Sequence, residues 1–352
     1  MTAIVVACTD LEGEVDFFTS EVGFRIRLVT PADDPRRVEL QRGGTVVELR
    51  RCGNDVPIRL RVEDDNERCV ECELRSPGGS IVEFGMRPAS LAVPESVPSL
   101  TVVDAATGGF GIGRAGMEYR DLLPDRWGGR FIASHIRIEA GGDIADWVHF
   151  HRIRFQMIFV AAGWVEVVYE DQGEPFRMVA GDCVLQPPEI RHRVLRSSPG
   201  LEVIEIGCPA EHDTLADHDL ELPTPCVNTT RNFAGQRFAR HIAEDAPRMA
   251  WADDSLAVRD TGIEKATDGL AGAVVVAAYS EPASTLLTHD GEFVFLVGLA
   301  GEAVLDVAGR LVALTPRTSI AIPAGTSWCW STHQLGHEAL VVSLPADAVR
   351  VG

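Results

Sequence analysis

The chain has 352 residues, enough for two or three domains, with 45% hydrophobic and 24% charged residues, the balance of an ordinary folded globular protein. Its 32 basic residues against 52 acidic ones leave a formal charge of −20, which argues against nucleic acid and anionic membrane surfaces as partners. No apolar run reaches the roughly 18 residues of a membrane span. No basic leader precedes the first acidic residues, and the 8 cysteines follow no disulfide spacing, so a cytoplasmic location is expected.

From the N-terminus, residues 3–8 read as a strand, and Asp10 caps a helix that carries Val15, Phe17, Phe18 and Val22. Strands are expected at 24–29, 37–41 and 45–50, the last two joined by Gly43 and Gly44. This strand–helix–three-strand order, with the string DLEGEVDFFTSEVGFRI, resembles a module of the vicinal-oxygen-chelate (glyoxalase-like) family. Strands at 57–62 and 80–84 look like the remains of a second module. The resemblance puts the family's metal positions on Ala3 and, in the last strand, Glu83; it implies a structural or substrate-shaping domain with at most a lone carboxylate. Cys69-x-x-Cys72 lacks the second ligand pair of a zinc site. This first unit spans 1–90 and a linker 91–111. The glycines at 108, 109, 111 and 113 make a loop rather than a dinucleotide fingerprint.

The chemistry concentrates in residues 112–215. His149 and His151 lie two apart in a segment of strand composition, so both imidazoles point to one face. Gln156 enters the apolar run that follows, and a second hairpin closes at Pro187 and Pro188 just before His192. Three imidazoles and a carboxamide thereby converge as a metal site in a small antiparallel barrel. Three histidines on one side of a six-coordinate ion leave positions open for substrate, dioxygen or water, and neutral ligands leave a divalent ion its full charge, which favours an anionic substrate. His135, on a preceding strand, and Glu189, beside the second hairpin, are the available acid/base candidates. Trp147, Ile158, Arg130 and Arg154 are candidates for the substrate pocket, the arginines as partners for a carboxylate. Trp127, Phe155 and Met157 read equally well as pocket wall or packed core.

The pattern resembles the two motifs of the cupin family. In the first, Gly142, His149, His151 and Gly163 stand at the family's positions, with Gln156 in place of the usual Glu. In the second, Gly181, Pro187 and His192 match, with Glu189 in place of the second Gly and so a slightly different turn. Residues 216–352 repeat the pattern in degraded form: EFVFLVGLAGEAVLDV parallels the first motif, and on that register His149 becomes Leu287, His151 His289, Gln156 Val294 and His192 Trp328. With one ligand left of four, the second barrel is expected to be empty of metal and to cover a sheet face of the first. The resemblance implies a mainly β chain: two cupin (jelly-roll) β-barrels preceded by a small α+β glyoxalase-like domain, and a homodimer through edge strands. It also implies one divalent ion, Fe(II) first with Mn, Zn or Ni as alternatives. The favoured function is an Fe(II) dioxygenase acting on a small anionic substrate. A redox-neutral lyase, isomerase or cyclase, and a non-enzymatic binding or sensor protein, stand beside it. No helix-turn-helix or basic recognition segment supports a DNA-binding sensor.

Overall fold

The computed structural model describes residues 3–32, 34–64, 72–86, 91–251, 253 and 255–352. Two compact units make up the chain, Met1–Ser90 and Leu91–Gly352.

In the first unit, Ala3–Cys8 pairs in parallel with Thr45–Arg51, and Arg37–Arg42 and Arg25–Thr30 complete a four-stranded sheet. Asp10 caps Leu11–Asp16 by accepting from the Gly13 N–H at 2.9 Å. The aromatic pair Phe17 and Phe18 then packs on Leu40, Val47 and Leu49. Arg59–Asp64, Ile81–Met86 and Cys72–Arg75 form a separate three-stranded sheet. Glu83 forms an ion pair with Arg59. Cys69, half of the CxxC pair, lies outside the described residues.

The second unit is two β-sandwiches of jelly-roll type, and the chain as a whole is mainly β, as expected. In the first half, Phe155–Ala162, Leu201–Cys208 and Ile132–Ile138 lie in a seven-stranded sheet. It belongs with a second sheet built on Trp164–Tyr169, His192–Ser197 and His149–His151. The second half repeats the plan. Phe293–Ala300, Glu338–Leu344 and Gly272–Ala278 lie in one sheet, and Ala303–Val307, Trp328–His333 and Leu287–His289 in the other. Each half contributes a strand to the other's neighbourhood in sequence. Thr101–Val103, inside the 91–111 segment, pairs with Ser319–Ile322 of the second half, while Ala239–His241 pairs with Cys183–Leu185 of the first.

Alternation along the strands divides the side chains between two cores. Phe155, Met157 and Phe159 leave the first sandwich and join Phe293, Phe295 and Val342 of the second in one continuous core between the halves. Phe131 stacks on Phe293 there with ring centroids 4.1 Å apart. Each such buried ring stabilises the join by about 2–3 kcal/mol. Trp127, Phe155 and Met157 are therefore inter-half core and not pocket wall. The interior of the second half is filled by Leu287, Val294, Trp328 and Trp330, all fully buried. Leu287 sits opposite Trp328 just as His149 sits opposite His192, so the internal repeat has the register read from the sequence. His289, the surviving ligand, is bound to the Ile322 carbonyl at 2.8 Å.

Candidate metal centre

His149 and His192 face each other across adjacent strands, and the period of two along His149–His151 brings the third imidazole to the same face. Ring centroids are 4.2 Å apart for His149 and His192, 5.2 Å for His149 and His151, and 5.3 Å for His151 and His192. One nitrogen from each falls within 4.8 Å of the other two, the only such cluster of metal-ligating side chains among the described residues. Backbone contacts set the tautomers. His149 Nδ1–H donates to the Trp147 carbonyl at 2.8 Å and His192 Nδ1–H to the Ile190 carbonyl at 3.0 Å, which leaves each Nε2 lone pair free. His151 Nδ1 is held 2.9 Å from Thr214 Oγ1. His149 Nε2 is buried and has no hydrogen-bond partner, an arrangement that a coordinated ion would satisfy. Burial, reinforced by His149, His212 and Arg114, pushes His151 down to about 2, and His192 is held well below its ordinary value by burial and the other two imidazoles. Burial likewise lowers His149. All three are neutral near pH 7, the form that binds metal.

Gln156 lines the same cavity as His151 and His192. Its side chain is 1% exposed, its Nε2 donates to Glu205 Oε1 at 2.6 Å, and its Oε1 is buried without a partner. The cavity that His151, His192 and Gln156 line is about 380 Å³. Its walls are chiefly apolar, with Ile136, Ile138, Ile158, Val165 and Val203 among them. Arg114, Tyr119, Glu205 and His212 are among the polar groups on its lining, with Tyr169, Gln186 and Thr214. Arg114 is anchored by an ion pair to Asp146, whose side chain is fully buried and whose other oxygen accepts from the Val194 N–H at 3.0 Å. Tyr169 stacks on His192 at 5.4 Å, with its hydroxyl accepting from Gln186 at 2.8 Å.

Of the other candidates, Ile158 lines the cavity, and His135, Glu189, Trp147, Arg130 and Arg154 do not. His135 faces away, because Ile136 and Ile138 take the inward positions of its strand. Its Nε2 lies 3.1 Å from Glu202, which also accepts from Arg317 of the second half at 2.6 Å. Glu189 is half-exposed and pairs with Arg152 at 3.4 Å. Its turn keeps the backbone of the missing glycine, with φ of 61°, and its N–H donates to the His151 carbonyl at 3.0 Å. Arg130 and Arg154 converge on Glu292 of the second half and so tie the halves together instead of meeting a substrate. Trp147 packs behind the ligands, edge-on to His149 at 5.2 Å and under the Arg114 guanidinium. Sequence reasoning missed Arg114, Glu205 and His212. Only Glu205 carried a signal, as a charge at an inward position of the apolar strand Leu201–Cys208.

No family model matches the sequence, and no curated protein matches it. Among solved structures, the chain is similar to oxalate decarboxylase of Bacillus subtilis, with a TM-score of 0.53 and 10% identity over 74% of this chain and 81% of that one. It is also similar to salicylate 1,2-dioxygenase from Pseudaminobacter salicylatoxidans, with a TM-score of 0.54 and 13% identity over 73% and 86% of the two chains. The formate complex of Lactobacillus farciminis oxalate decarboxylase gives a TM-score of 0.53 and 14% identity over 74% and 90%. With its two jelly-roll halves and its three-histidine cluster in the first, the chain has the bicupin fold.

Proposed function

We propose that the chain is a mononuclear metal-dependent enzyme, and within that class an Fe(II) dioxygenase acting on a small organic anion with an apolar body. The observation that carries this reading is the pairing of an all-neutral ligand set with an apolar cavity. His149, His151, His192 and the Gln156 oxygen would hold the ion on one side only, and the unpartnered His149 Nε2 and Gln156 Oε1 fit that role. Such an ion supplies Lewis-acid polarisation and, if it is iron, access to dioxygen chemistry. The apolar walls exclude water from the substrate and select a hydrocarbon or aromatic body over a compact dianion. Arg114, rigidly held by Asp146, offers a guanidinium to the anionic end. The likeness to a salicylate dioxygenase supports this reading as a matter of fold.

The redox-neutral alternative has one observation of its own: Glu205 puts a carboxylate on the cavity lining, the acid/base group that His135 and Glu189 do not provide. Oxygen electrode traces on Fe(II)-loaded protein, run against hydroxybenzoates, catechols and diketones, separate the two. Stoichiometric uptake with one substrate class is the expected result; substrate turnover without uptake, best with Mn(II), would transfer the proposal to a lyase or isomerase. For Met1–Ser90 the strand–helix–three-strand order supports a trimmed glyoxalase-like module of structural or substrate-shaping role, with no ligand cluster among its described residues.

A further inference from the structure

The cavity holds a carboxylate that the ligand motif does not predict, and it lies one side chain behind the ligands. Gln156 sits opposite Gly207 on the neighbouring strand, and Glu205 sits opposite Ile158. Gln156 and Glu205 are thus diagonal neighbours on one face, within reach of each other's side chains. Their contact is short, 2.6 Å from Gln156 Nε2 to Glu205 Oε1. A carboxylate only accepts, so it selects the NH₂ end of the amide. The Oε1 end is then turned into a buried space where it finds no protein partner. We propose that Glu205 is a positioning residue. It locks Gln156 with the amide oxygen presented alongside the imidazole nitrogens, so that the chain keeps an oxygen as its fourth ligand while the negative charge stands one layer further out.

This inference rests on the metal-site reading, and its test separates the two. Co(II) is titrated into the full-length apo-protein and followed by its visible ligand-field spectrum, with thermal unfolding as a fold control. Glu205→Leu is expected to weaken Co(II) binding roughly 10- to 100-fold and to alter the spectrum, the usual consequence of losing an outer partner of a ligand. Gln156→Leu should weaken it similarly, and Glu205→Leu should then add nothing, because Glu205 acts through Gln156. A second route does not depend on the leucine variants folding. Gln156→Glu places two carboxylates in contact, and adding Glu205→Gln restores a donor between them. The swapped pair is expected to bind Co(II) at least about tenfold more tightly than Gln156→Glu alone. Binding abolished by His192→Ala but untouched by Glu205→Leu overturns the positioning role alone. So do losses that add in the double leucine variant, or a swap no tighter than the single exchange. Wild type that takes up no Co(II) overturns both this inference and the metal site.

Discussion

The join between the halves gives a quantitative test at Glu292. Arg154 holds this carboxylate through two contacts, 2.9 and 3.0 Å, and Arg130 adds two more, from Nε at 3.2 Å and Nη2 at 2.5 Å, while its Nη1 donates to the Pro94 carbonyl at 2.8 Å. Hydrogen bonding to Arg154, opposed by partial burial and aided by Arg130, lowers the Glu292 carboxyl from 4.5 to about 2. Undiluted by solvent, that displacement corresponds to roughly 3 kcal/mol. With 36% of the side chain exposed, screening reduces it to about 1–2 kcal/mol. The sign follows from linkage: a depressed carboxyl stabilises the fold fully above the unfolded value of 4.5 and loses its contribution as pH falls toward 2. Glu292→Gln should therefore cost about 1–2 kcal/mol in urea unfolding at pH 7, and the gap to wild type should shrink by about half or more at pH 3. A gap under about 0.3 kcal/mol at pH 7, or one that stays constant down to pH 3, would refute the role given to this ion pair.

Three further outcomes follow from the geometry. Ile158→Trp should fill part of the cavity of about 380 Å³ and weaken binding of benzoate to the metal-loaded protein by tenfold or more, with metal content unchanged; unaltered benzoate binding would place the substrate elsewhere. Glu189→Gly removes a side chain from a left-handed backbone position and loses only an exposed contact with Arg152, so it should leave activity intact and raise stability by up to about 1 kcal/mol; loss of activity would return Glu189 to the catalytic candidates. His135→Phe should lower stability by about 1 kcal/mol through the lost contact with Glu202 and leave metal content and benzoate binding unchanged, a result that calorimetry and metal analysis check together.

What the sequence disclosed and what it withheld divide along the range of the interactions. His149, His151, Gln156 and His192 were legible because strand alternation and one hairpin place them, all within a local span. The repeat was legible for the same reason, and Leu287 opposite Trp328 reproduces its register. Arg130 and Arg154 were misread because their partner lies 162 and 138 residues away in the other half. His135 was misread through strand parity. The alternation of Ile132–Ile138 offers two faces, and without knowing that a second sandwich covers one of them a buried histidine looks like a cavity histidine. Arg114 reaches the site from a short turn outside the sheets' periodicity, which no local pattern reports.

On the proposed function, the first sandwich alone holds a single catalytic ion. Metal content per chain, measured on wild type, His149→Ala, His192→Ala and His289→Ala prepared identically, tests it most directly. One divalent ion is expected in wild type and in His289→Ala, and almost none in the other two variants. Metal that survives in His149→Ala and His192→Ala but disappears in His289→Ala would put the ion in the second half and overturn the site described above.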